Sequence, residues 1–318
     1  MEPFMKDYNL KILPRTDLAD EAAEAMLASS QTDGIVSRYV TENGVDVHIL
    51  DVKSEKGAER TGKPIGRYVT VNIGKIWTTD KEQFENTCRV TAKYIRDFLP
   101  DKGSACLLAA LGNKDIIADA VGPCTADNFI VTRHIKDADP ELFRSFSLRD
   151  TLCISPGVLG NTGIEAAEII KGVADFGSPG FVIAVDSLAS RRLSRLATTV
   201  QICDTGISPG SGINNARKEL TEKTLGVPVI AIGVPTVVEA STLAQDIVMT
   251  AAEHSGNSLV KENAKLILEK ITPEGEGYFV TPKETDHIIK DVSKLIGYAI
   301  NLALHDDLSF DEIDEFLS

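Results

Sequence analysis

GFVIAVD, residues 180–186, decides the fold. Every position from Phe181 to Val185 is apolar. A strand built from them has no face to show to water, so it belongs inside a sheet covered on both sides. The same reading extends to SACLLAALG at 104–112, DTLCIS at 150–155, TTVQICD at 198–204 and VPVIAIG at 227–233. Between and after these runs, helical periodicity predicts helices at 81–98, near 125–135, at 163–175 and near 236–253. Alternating strand and helix units give a parallel sheet with right-handed crossovers. Toward the N-terminus, DGIVSRYV at 33–40 and GVDVHILDV at 44–52 read as two strands joined at Glu42-Asn43-Gly44, and Asn-Gly is a strong hairpin signal. RYVTVNIG at 67–74 is a third extended segment. The predicted class is α/β: a three-layer α/β/α unit from about 65 to 255 with a mostly parallel central sheet, an N-terminal β-hairpin and a helical C-terminal segment over 257–318. In DDLSFDEIDEFLS, 306–318, helical spacing aligns Phe310, Ile313 and Leu317 opposite a carboxylate face, which predicts a docking helix.

The chain carries 33 Lys+Arg against 47 Asp+Glu, a formal net charge of −14 over 318 residues. A surface that acidic repels phosphates, so direct nucleic-acid binding and anionic-membrane binding are not expected. The start, MEPFMKDYNLKILP, lacks the basic-then-apolar pattern of a signal peptide. The longest apolar runs, ACLLAAL at 105–111 and VPVIAIGVP at 227–235, are too short to span a bilayer. The five cysteines are odd in number, widely spaced and without a CxxC. That argues against a disulfide framework or a thiolate zinc site and for a reduced, cytoplasmic compartment.

Ligands of open parallel sheets bind beyond the carboxyl ends of the strands. Three acids stand there: Asp119 in LGNKDIIADAVGP (111–123), Asp186 after GFVIAV, and Asp204 after TTVQIC. Two close carboxyl groups cannot both ionise freely, so one keeps a proton while the other stays a base. Activating water against a peptide carbonyl needs that division. An Asp at a strand end also serves as a helix cap, and from spacing alone both roles stay open for Asp119 and Asp186. Asp204-Thr205-Gly206 matches the D-T-G of pepsin-like proteases, but it occurs once and in a strand–helix context. The loop Gly206 to Gly212 lacks phosphate-cradling spacings, and Ser211 is not in G-x-S-x-G. The histidines at 48, 134, 254, 287 and 305 form no metal motif, and Cys124 and Cys153 read as structural thiols.

A series of separated strings in one order carries a resemblance. These are RTDLADEA (15–22), GRYVTVNIG (66–74), LGNKDIIADAVGP, DNFIVTRHI (127–135), SPGVLGNTGIEAAEII (155–170), VIAVDSLASR (182–191), DTGISPGSGINNARKEL (204–220), KTLGVPVIAIGVPTVVEA (223–240) and VTPKETD (280–286). The chain resembles the germination protease family of spore-forming bacteria along nearly its whole length. The resemblance implies an endopeptidase that starts the degradation of small acid-soluble spore proteins during germination, in the cytoplasm of the spore core. It implies a homotetramer and a two-aspartate mechanism, with the family's acids falling on Asp119 and Asp186 and with no cofactor. It also implies a self-processing zymogen cut within Arg15–Ala19, at Asp17-Leu18, which divides the chain into a propeptide-like segment 1–17 and a single protease domain 18–318. Locally, Asp17 reads as the cap of a helix over 18–29 that would fray before cleavage.

Positive charge near the acids offers a way to hold acidic-flanked substrates: Arg191, Arg192 and Arg195 after Asp186, and Arg217 with Lys218 after the glycine loop. Two other classes compete. The G-N to A-D pattern also resembles hydrogenase maturation endopeptidases, which bind a metal; there a third ligand is expected in the glycine loop, where this chain has Ser208, a poor ligand for a transition metal. The other class is a non-catalytic scaffold in which both acids are caps.

Overall fold

The computed structural model describes residues 16–28, 33–210, 217–255, 263 and 277–318. The expected helical reading of 257–276, and Ser211, lie almost wholly outside the described residues, as do residues 1–15 of the N-terminal segment. The hairpin forms as β1 (Ile35–Glu42) and β2 (Val45–Val52). Its turn holds Asn43 at φ +49° and Gly44 at φ +79°, the left-handed pair that matches the twist of the flanking strands. Then come β3 (Gly66–Asn72), β4 (Cys106–Ala110), β5 (Thr151–Ile154), β6 (Phe181–Ala189), β7 (Thr199–Cys203), β8 (Val229–Glu239) and the short β9 (Phe279–Val280). The order across the sheet is β1-β2-β3-β7-β8-β6-β4-β5, with β9 paired to β8.

The strands β5, β4, β6 and β8 are parallel, with β5 at the edge of the sheet and the other three inside it, as their apolar character predicts. β7 runs antiparallel to both of its neighbours, β3 and β8. The reason is the connection. Only residues 190–198, with one 3-10 turn at Leu193–Arg195, join β6 to β7, whereas a parallel return needs a crossover of about a dozen residues or more, usually a helix. An apolar run says that a strand is interior; it does not say which way it points.

Alternation along β6 shows what a strand apolar on both faces does. Ile183 and Val185 enter one core with Leu108, Ile230 and Ile232. That face is covered by α3 (Lys81–Arg96), α4 (Val121–Ala126) and α11 (Thr285–Leu304). Val182 and Ala184 enter the other core with Leu107 and Ile170 of α8 (Ala166–Gly177). Farther along that second face, Leu50, Tyr68 and Ala231 pack on Ala19 and Ala23 of α1 (Ala19–Ala28), so helices cover both faces. The last helix, α12 (Phe310–Leu317), is held by a Ser309/Glu312 capping box and buries Phe310 and Ile313, as the spacing predicts.

Two boundaries differ from the periodicity. The helix expected near 125–135 is broken between α4 and α5 (Arg133–Ala138). There Asn301 of α11 accepts the Ile130 N–H (3.0 Å) and donates to the Asn128 carbonyl (2.9 Å), taking backbone groups a continuous helix would use itself. Helix α10 (Ala240–Ser255) starts after 236, because β8 keeps pairing with β6 as far as Val237 and with β9 at Val238 and Glu239.

Candidate active site

Asp119 is positioned by the loop that leaves β4. Gly112 stands at φ +112°, and a Cβ there would lie 2.0 Å from the Asp119 carbonyl oxygen, so only glycine lets the loop close on itself. The closing contacts come from one donor: the Asn113 N–H reaches both the Asp119 carbonyl (3.0 Å) and the Asp119 carboxylate (2.9 Å). A 3-10 turn at Ile117–Asp119 ends the loop, and Thr236 of β8 donates to the Ala118 carbonyl (2.6 Å), tying the turn to the sheet. Burial pushes the Asp119 carboxyl up to about 6, against the lowering effect of the Asn113 bond.

Asp186 is reached by following β6 one residue past its apolar run. It is 4% exposed and pairs in register with Gly233 of β8. Its carboxylate accepts the Ser187 N–H at 2.9 Å. Burial raises its pKa well above the ordinary aspartate value, and the charge of Asp119 raises it further, as does Asp17 more weakly. Asp119, Asp186 and Asp17 line one cavity of about 440 Å³. The buried Ser187 hydroxyl, also in that lining, has no hydrogen-bond partner among the described residues. Two carboxyls in one cavity, with the more buried raised by the charge of the other, can hold one proton between them at neutral pH.

The third strand-end acid, Asp204, is elsewhere. Gly233 pairs with Asp186 on one side and with Gln201 of β7 on the other. Because β7 is reversed, its carboxyl end points to the opposite edge, and Asp204 accepts the Arg67 N–H there (2.9 Å). The strand-end rule failed for Asp204 because it assumed one strand direction. Downstream of β7 the chain returns, and Pro209, Gly210, Arg217 and Lys218 line the aspartate cavity. Arg217 lies 4.0 Å from Glu165, and Lys218 pairs with Glu168.

Arg191 and Arg192 are placed against α1. Arg191 pairs with Glu24 (2.6 Å) and Asp246 (3.3 Å), and Arg192 with Glu24 (2.7 Å). Their backbone N–H groups both donate to Glu21. Arg195 pairs with Asp20 at 2.8 Å. Neither Arg191 nor Arg192 is part of the cavity lining, whereas Arg217 and Lys218 are.

The segment at Asp17 and Leu18 is fixed in detail. Leu18 is fully buried. The Asp17 N–H donates to the Ala189 carbonyl (2.9 Å), and the Asp17 carboxylate accepts the Ala189 N–H (2.8 Å). The first N–H groups leading into α1 are taken by Thr16, whose hydroxyl accepts from Leu18 (3.1 Å), and by Gln201, whose Oε1 accepts from Ala19 (2.6 Å). These two residues thus supply the capping expected of Asp17. The Asp17 carbonyl accepts from Lys63 Nζ (2.9 Å) and Gln201 Nε2 (3.2 Å), and Lys63 also donates to the Thr16 carbonyl (3.2 Å). Lys63 and Gln201 gave no signal in the sequence: a lysine in a turn and a glutamine in an apolar run have no motif around them.

Among the described residues, no group of three or more His, Cys, Asp and Glu side chains is arranged to hold a metal ion. At the position where a maturation-type endopeptidase would place a ligand, Ser208 is bonded to Glu219 (3.0 Å). Among the described residues, no helix is long and apolar enough to cross a membrane.

The chain is similar to known proteins along most of its length. The family model described as Germination protease matches residues 14–264 and 258–317. The germination protease of Caldanaerobacter subterraneus subsp. tengcongensis is 41% identical over 318 residues, covering 95% of this chain and 98% of that relative. That of Clostridium perfringens is 39% identical, covering 96% and 99%, and that of Bacillus subtilis 38% identical, covering 93% and 95%. With matches of this length and level, the chain belongs to the germination protease family of peptidases.

Proposed function

We propose that this chain is an aspartic-type endopeptidase that opens the degradation of small acid-soluble spore proteins at germination, with Asp119 and Asp186 as its base and acid. The observation that carries the reading is the pair of carboxyls in one cavity, unequally buried and electrostatically coupled. The more deeply buried Asp186, its carboxyl raised well above the ordinary aspartate value, is the group that holds the shared proton, and Asp119, held near 6, is the one that ionises. Asp119 takes a proton from water as the water oxygen bonds to the peptide carbonyl carbon, while Asp186 gives its proton to the carbonyl oxygen. Collapse of the tetrahedral intermediate breaks the C–N bond; the leaving nitrogen takes the proton held by Asp119, and Asp186 regains its own from the hydroxyl.

In this reading residues 1–17 are a propeptide removed by the same site at Asp17-Leu18, and 18–318 form a single protease domain. The presence of Asp17 in the aspartate cavity supports that. Arg191 and Arg192 meet substrate carboxylates only once they release Glu21 and Glu24. The homotetramer and the spore-core location are carried over from the family resemblance. Asp119→Asn and Asp186→Asn should each fold as judged by circular dichroism and gel filtration, yet leave a small acid-soluble spore protein uncut and their own N-terminus unprocessed. Cleavage by either variant at a rate near that of the unsubstituted chain contradicts the proposal.

A further inference from the structure

A second cavity, of about 550 Å³, abuts the aspartate cavity, and Asp17 and Leu188 belong to the walls of both. Lys63 and Gln201 line this second cavity and turn their donors onto the carbonyl of Asp17. Among the described residues, the acceptors of the Lys63 ammonium are the Thr16 and Asp17 carbonyls, both from the N-terminal segment. Gly233 places Gln201 level with Asp186 across one intervening strand, a backbone separation of about 10 Å. The strand that carries Asp186 also supplies the N–H and C=O of Ala189: the C=O accepts the Asp17 N–H, and the N–H donates to the Asp17 side-chain carboxylate.

Loss of residues 1–17 takes away every one of these partners at once. A desolvated ammonium, an amide donor and both backbone groups of Ala189 are then left without them, and buried donors without acceptors are costly. An extended polypeptide with a side-chain acceptor before the cut replaces them group for group: its carbonyls for those of Thr16 and Asp17, its N–H for that of residue 17, and its side-chain oxygen for the Asp17 carboxylate. We propose that Lys63, Gln201 and the Ala189 backbone form the subsite that holds the residue on the amino side of the cut bond in protein substrates, and that Thr16 and Asp17 fill it in the unprocessed chain. This deepens the reading above and rests on Asp17-Leu18 being the processing bond.

The test is lysine labelling by reductive dimethylation, read at Lys63 by mass spectrometry. Three samples are compared: the full chain, the self-processed protein whose first residue is confirmed as Leu18, and that protein saturated with a synthetic peptide of residues 10–17. Labelling of Lys63 should be low in the first, rise at least about tenfold in the second, and fall again in the third, in keeping with the loss and return of a charged hydrogen bond. In parallel, Lys63→Met and Gln201→Leu should each lower kcat/KM for a small acid-soluble spore protein by about tenfold or more, since the Asp17 carbonyl they hold is that of the bond to be cut, and Lys63→Arg should restore most of the loss. Equal labelling in all three samples overturns the subsite, as does a Lys63→Met variant whose kcat/KM is unchanged. A processed protein that begins elsewhere than Leu18 overturns the processing reading and the proposal with it. Cleavage that persists in Asp119→Asn instead overturns the catalytic assignment, whatever Lys63 does.

Discussion

Replacing Asp119 by Asn should remove catalysis and stabilise the fold at neutral pH. An ordinary aspartate carboxyl at 3.8 and one held at about 6 differ by roughly 3 kcal/mol in the free energy of ionisation. The folded state binds the proton more tightly than the unfolded chain does, so above pH 6 ionised Asp119 weakens the fold. As pH falls through 6 the folded group takes up its proton and the penalty shrinks; below about 3.8 both states are protonated and it is gone. Asn is neutral throughout, like the protonated acid, and still offers an oxygen to the Asn113 N–H, whose lowering effect on the carboxyl is already contained in the value near 6. The net gain at pH 7 is therefore about 3 kcal/mol, a rise of roughly 1–1.5 M in the urea midpoint. Losing the Asp119 charge also lowers the pKa of Asp186, but burial, the larger cause, stays. The assay is urea unfolding of both proteins at pH 4, 5, 6 and 7, followed by tryptophan fluorescence at Trp77, which packs against the larger core. A gap that is about zero at pH 4 and opens toward pH 7 supports the reasoning. A variant equally or less stable at pH 7, with no dependence of the gap on pH, refutes it.

Other expectations concern the same site and its supports. The rate of substrate cleavage at saturating substrate should climb along an acid limb near pH 6 as Asp119 ionises, and Asp119→Glu should move that limb; a rate flat from pH 5 to 7 contradicts its role as base. Gly112→Ala should cost about 2–4 kcal/mol in urea unfolding and at least about tenfold in kcat, because its Cβ meets the Asp119 carbonyl and its φ disfavours any side chain; wild-type kinetics would show that the loop can reshape freely. Asn301→Leu should destabilise by about 2–4 kcal/mol, leaving the Ile130 N–H and the Asn128 carbonyl without their partner, while KM stays unchanged in whatever fraction folds. Arg217→Glu with Lys218→Glu should raise KM for acidic substrates about tenfold with little change in stability, and an unchanged KM would remove the cavity's basic wall from recognition.

Much of the architecture was legible because burial on two faces leaves a mark on sequence. Phe181 to Val185 read as an interior strand, and the acid that follows them stands on that same strand, which runs on, mostly buried, to Ala189. Asp119 was legible for a related reason: an acid after an apolar strand, inside a loop opened by Gly112. The direction of β7 was not, since Thr199–Cys203 is as buried as the inner parallel strands and direction depends on the short link before it. That reversal moved Asp204 to the far edge and brought Gln201 level with Asp186. Arg191 and Arg192 looked available because a sequence lists charges without their partners, and those partners, Glu21 and Glu24, lie far back in the chain. Lys63 and Gln201 were invisible for the same reason: each has its role only through contact with a segment distant in sequence.

The most direct measurement is the carboxyl titration of the two acids, followed by NMR of protein labelled with ¹³C at the aspartate carboxyl carbons and assigned with Asp119→Asn and Asp186→Asn. Asp119 should titrate near 6, and Asp186 should lose its proton only at a higher pH than Asp119 does. If both lose their protons near pH 4, the cavity holds two ordinary carboxylates, and no division into acid and base exists for cleavage to use.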